Sequence, residues 1–158
     1  MNRKLLVAIG VMLVVGLGVG AAMMLGGPAS DGPIAQNRAL WASQGLDDYT
    51  FVLERSCFCI FREPVEIVVA DGRTESVSIA ETGETETEFL VLSEEFRSVD
   101  TIDKLFDLLQ ESVNAGFATV DVTFDPTYGH PIEIFIDQDK QMADEEVWYT
   151  IQSLTPSS

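Results

Sequence analysis

The chain has 158 residues, a formal net charge of −17, two cysteines and one histidine. Two of its nine Lys and Arg, Arg3 and Lys4, stand at the start, whereas all 26 Asp and Glu fall from Asp31 onward, so residues 31–158 carry 7 positive against 26 negative charges, or −19. Such a surface repels phosphates and anionic headgroups, which excludes nucleic acid; it reads first as a solvated acidic coat, with cations or basic peptides as the class it would attract.

Residues 5–25 contain no ionisable side chain. At about 1.5 Å per residue, a helix of that length spans roughly 32 Å, the thickness of a hydrocarbon core. Arg3 and Lys4 hold the amino terminus in the cytoplasm. The expectation is a single-pass cell-membrane protein with its domain outside, periplasmic or extracellular, touching the membrane through this segment alone. The alternative is a secretory signal cleaved near Met23 or Ser30, behind the small residues of Gly20-Ala21-Ala22 or Gly27-Pro28-Ala29. The run exceeds the usual signal core of about 7–15 residues, which favours the anchor. Gly16 and Gly20 form a G-x-x-x-G pair, a spacing that also arises from the general abundance of Gly in membrane helices. The chain divides into an anchor at 1–27, a linker at 28–33, a domain at 34–154 and a tail at 155–158.

The first helix of the domain is marked by its ends. Asp31 or Gly32 caps it, Pro33 suits its first turn, and Gly45 suits a left-handed terminus. Period two then begins, with Tyr49, Phe51 and Leu53 alternating against Thr50, Val52 and Glu54. Pro64 opens a second strand over 65–69, Asp71-Gly72 signals a hairpin, and Val77 and Ile79 lie on the returning strand. Residues 81–88 are too charged to be buried and read as an exposed loop, with Phe89 to Leu92 pinning its far end. A second helix is predicted from Asp100 or Thr101 to Gly116, its buried stripe formed by Ile102, Leu105, Phe106, Leu109 and Val113. Three strands follow at 118–124, 132–136 and 147–151. Their inward sets are Val120, Val122 and Phe124, then Ile132, Ile134 and Ile136, then Val147, Tyr149 and Ile151.

This order predicts an α+β domain: an antiparallel sheet of about six strands with two helices on one face. Each half reads helix, strand, strand, strand, and residues 64–69 (PVEIVV) parallel 131–136 (PIEIFI). A duplicated unit and a chance match of strand composition both account for that. The second sheet face is left open.

Cys57 and Cys59 are the only cysteines. In an oxidising compartment they form the suspected disulfide. Residues i and i+2 on an extended strand have Cα atoms about 6.5–7 Å apart, at the edge of disulfide geometry, so the bridge needs a bend at Phe58. Two buried thiols or intermolecular pairing are the competing readings. Redox chemistry lacks C-x-x-C spacing and a helix N-terminus. A metal site would have only His130 to add. His130 itself lies in a loop between Pro126 and Pro131 and reads as a turn residue.

The acidic run 137–146 fails as an EF-hand loop, with Met142 where Gly is needed and Trp148 where the bidentate Glu belongs. A solvated hairpin loop accounts for it, with weak cation binding as the lesser reading. No phosphate-binding loop, nucleophile elbow or metalloprotease motif is present, so no catalytic residue, metal or cofactor is assigned.

Several stretches carry a resemblance. Leu40-Trp41, the segment from Asp48 to Cys59 (DYTFVLERSCFC), Pro64-Val65, Thr101 to Phe106 (TIDKLF) and Tyr128 to Pro131 (YGHP) together resemble a family of bacterial exported proteins and lipoproteins, catalogued as a domain of unknown function. Its most specific part here is D-Y-x-F-x-L-x-R-x-C-x-C. The resemblance implies an exported α+β domain and no established activity, and this chain departs from lipoprotein members in lacking a lipid-bearing Cys. The expected function is a membrane-tethered, non-catalytic binding module whose partner is an envelope protein or peptide. The alternative is a thiol-redox protein using Cys57 and Cys59.

Overall fold

The computed structural model describes residues 32–59, 61–82 and 94–157. The apolar segment at 5–25 and the far end of the charged loop, including Phe89 to Leu92, lie outside the described residues. Among those described, no helix is long and apolar enough to cross a membrane.

Eight main elements follow the expected order. They are α1 (Pro33–Gln44), β1 (Tyr49–Ser56), β2 (Val65–Ala70), β3 (Arg73–Ile79), α2 (Ile102–Ala115), β4 (Thr119–Phe124), β5 (Pro131–Asp137) and β6 (Val147–Pro156). The strands form one antiparallel six-stranded sheet in the order β3-β2-β1-β6-β5-β4. Domain order is therefore α+β, as expected. The last strand, however, runs five residues past its predicted end and pairs along the length of β1.

The halves are not related by a rotation that keeps both helices on one face. Both β1-β2-β3 and β4-β5-β6 extend toward the β3 edge while β1 and β4 run antiparallel, so with each first strand pointing up and viewed from the helix side the halves extend in opposite lateral senses. The topology therefore argues against the duplicated unit, and the matching hexamers reduce to shared strand composition.

Local chemistry explains each boundary. Gly45 and Gly116 close the two helices at φ 62° and 74°, conformations that carry a Cβ penalty for other residues. Thr101 caps α2, its hydroxyl accepting from the Lys104 N–H at 3.2 Å. Asp71 and Gly72, both at positive φ, turn β2 into β3. That turn is docked on the residues before β1: Gly72 N–H donates to the Asp47 carbonyl and Asp71 N–H to the Asp48 carboxylate, each at 2.8 Å.

The core lies between the inner sheet face and the two helices. Phe51, Leu53, Ile67, Leu105, Phe106 and Leu109 are fully buried within it. Trp41, the buried residue of α1, meets Tyr49 edge-on with centroids 5.3 Å apart. Arg38 of α1 pairs with Asp107 of α2 at 2.7 Å, tying the helices together above the sheet.

Two inward assignments change. Val113 is 49% exposed, and Ser112 is buried in its place, its hydroxyl bonded to the Leu108 carbonyl at 2.8 Å. A Ser that satisfies itself within its own helix can occupy an apolar stripe. Ile132 is the extra residue of a β-bulge: Thr123 pairs with Glu133 but Phe124 with Pro131, so Pro131 turns inward and Ile132 is left unpaired.

Candidate functional site

The open sheet face is built by alternation. Inward Val122, Ile134 and Tyr149 leave Asp121, Phe135 and Trp148 pointing the other way. Register sets those three side by side across β4, β5 and β6, because Asp121 pairs with Phe135 and Phe135 with Trp148. The next row on the same face is Thr123, Glu133, Thr150 and Glu54. Phe135 and Trp148 stack at 4.5 Å with ring planes 30° apart. All of these except Glu54 line a shallow depression of about 250 Å³. Trp148 remains 47% exposed within it. No lysine or arginine lines it.

Sequence reasoning placed the inward partners correctly and drew nothing from the outward ones. The signal was present: the alternation that buries Ile134 and Ile136 sends an unusually large aromatic pair to the solvent side.

Cys57 and Cys59 stand at disulfide distance just beyond β1, their Cα atoms 5.2 Å apart. The strand ends at Ser56 and residues 57–59 bend, which supplies the closure that an extended chain lacks. Phe58 at the apex is 77% exposed. Ser56 pairs with Trp148, so the cysteine bend and the aromatic stack share one end of the sheet. Below them, on the inner side, Arg55 lies over the Phe96 ring at 4.8 Å and pairs with the Glu95 carboxylate. Its guanidinium also donates to the Tyr149 hydroxyl, whose pKa is raised by burial. Phe96 itself is fully buried and was not anticipated, since it follows a charged stretch with no periodicity.

His130 belongs to a different place. It is buried between Trp41 and Tyr128, with ring centroids at 6.1 and 6.2 Å, and burial holds its pKa below the ordinary value. Its loop is organised by Asp125, whose carboxylate accepts from the N–H groups of Thr127 at 2.8 Å and Tyr128 at 2.7 Å. The Tyr128 bond is the main reason that carboxyl stays below its usual range. The structure does not bring His130 to the cysteines, and its loop serves to seat α1.

The acidic loop after β5 turns its side chains onto its own backbone. Asp139 accepts from the Gln141 N–H at 2.9 Å, and Glu145 accepts from the Asp139 N–H. Among the described residues, no three His, Cys, Asp or Glu side chains come together in a way that could hold a metal ion.

Residues 33–156 match the model of a family of unknown function, DUF6174. The chain belongs to that family. No curated protein and no solved structure matches it. The DUF6174 match spans α1, α2 and β1 to β6, so the open face, the cysteine bend and the His130 loop all lie within one family domain.

Proposed function

We propose that this DUF6174 domain is a non-catalytic binding module, carried outside the cell membrane on its amino-terminal segment, which engages an envelope protein or peptide through the open sheet face. The observation that supports it best is the Phe135–Trp148 stack, Phe135 half-buried and Trp148 exposed, in a depression between polar side chains. Aromatic residues with one wet and one apolar side are the usual anchors of recognition surfaces. The uncharged run at 5–25 supports the tether, and the resemblance to bacterial exported proteins supports the location.

A photocrosslinking amino acid at Thr123, in the full chain produced in cells, is expected to give discrete adducts with another envelope component. The same probe at Gln110, on the exposed side of α2, serves as the control. Equal labelling from both positions contradicts the reading.

A second reading rests on the cysteine bend. Its two cysteines are half-buried beside the exposed Phe58 at the surface end of the sheet, and a thiol-redox protein requires a sulfur pair that a thiol partner can reach. Thiol counting by mass spectrometry across redox buffers decides it. The binding-module reading expects a structural bridge that stays closed until below about −300 mV; opening between about −120 and −200 mV would favour the redox reading instead.

A further inference from the structure

Resting on that reading of the open face, we infer that the depression around Phe135 and Trp148 is a subsite for a lysine or arginine side chain of a basic polypeptide segment laid across the sheet. The first ground is the register. Asp121 is the direct cross-strand neighbour of Phe135, and Glu133 is the diagonal neighbour of Asp121 on the same face. Diagonal positions lie about 7–8 Å apart, wide enough for a cation to sit between two carboxylates above an aromatic ring. Among the described residues, neither carboxylate has an ion-pair partner, and both are exposed. Thr123 and Thr150 add hydroxyl acceptors at the rim.

Chemistry of the ring supports the same ligand. The indole face attracts ammonium and guanidinium groups more strongly than any other aromatic side chain does. Glu133, diagonal to Trp148 as well as to Asp121, reinforces that attraction, and a domain at −19 steers cations toward it from a distance.

A polypeptide fits better than a small cation because the carboxylates continue beyond the depression. Glu54, across β6 from Glu133, lies two strand spacings away, about 9–10 Å. Its carboxylate accepts from the Gln152 side-chain amide at 2.8 Å. One side chain cannot span that distance, whereas an extended segment with basic residues at intervals can.

The test uses the full chain in detergent micelles and a labelled ten-residue peptide of alternating arginine and threonine. Saturable binding is expected, with an affinity that falls steeply as salt rises. Trp148→Ala and the double variant Asp121→Asn/Glu133→Gln should each weaken it by about tenfold or more. The charge-matched control Glu75→Gln/Glu111→Gln, on β3 and α2, should leave it unchanged. Equal losses in both double variants would reduce the effect to net charge and overturn the subsite. Spermidine bound as tightly as the peptide, with the same dependence on Trp148, would overturn the polypeptide assignment. Failure of the peptide to bind, while Thr123 still crosslinks in cells, removes the cationic ligand and leaves the binding face standing.

Discussion

Replacing Gly129 by alanine should destabilise the domain by about 2–5 kcal/mol, the sum of a left-handed backbone cost and an overpacking cost. Gly129 has φ 81°, and a Cβ there would stand 2.6 Å from the Asn37 carbonyl oxygen and 2.9 Å from the Leu40 Cβ. The carbonyl belongs to α1 and cannot rotate away. The substitution therefore pushes α1 off the loop that also carries His130, and with it the Trp41 contact to Tyr49. Two other glycines separate the contributions. Gly116 has φ 74° with open space around it, so Gly116→Ala should cost only the backbone share, about 1 kcal/mol. Gly32 has ordinary backbone and open space but caps α1, where Ala is the poorer residue, so Gly32→Ala should cost about 0.5–1 kcal/mol. Denaturant unfolding of the three variants checks this, and a Gly129 variant no weaker than the Gly116 variant would contradict the packing described.

The second large effect is at Tyr49, which joins the central strand to the second helix. Its hydroxyl accepts from the Ile102 N–H at 3.0 Å, satisfying one of the donors left open at the start of α2. Tyr49→Phe leaves that buried N–H without a partner, at a cost of about 1–3 kcal/mol. Alkali provides an independent readout. Burial pushes the Tyr49 pKa from 10 up to about 12. Because the folded value is the higher one, the associated stability is fully present below pH 10 and is lost as pH rises toward 12. Its size is on the order of 3 kcal/mol. Melting curves between pH 9 and 12 should fall more steeply for the wild type than for Tyr49→Phe. Parallel curves would show that the hydroxyl is not buried as described. Tyr149, also raised by burial, contributes with the same sign in both proteins.

Much of this architecture is legible in the residues. Pro33 with Gly45, Thr101 with Gly116, and Asp71-Gly72 are local devices whose chemistry acts within a few residues, so their elements fall where the sequence places them. What escapes is what depends on pairing between distant strands. The bulge that expels Ile132 exists only because β4 and β5 are out of step by one residue. The extension of β6 to Pro156 follows from its partnership with β1, for which its own composition carries no mark. Phe96 is placed by distant partners, the Phe61 ring edge-on to it and the Arg55 guanidinium above it. The candidate site lies between these extremes. Alternation sends Phe135 and Trp148 outward, but only the strand order β6-β5-β4 sets them, with Asp121, in one row.

The open face as the working surface is tested most directly by Trp148→Ala in the full chain, read by the crosslink from Thr123 in cells. Trp148 is half-exposed and contributes little to the core, so expression and melting should match the wild type. Adduct yield should fall at least about tenfold, as expected for loss of an anchoring aromatic residue. An undiminished yield from a folded Trp148→Ala protein would contradict it.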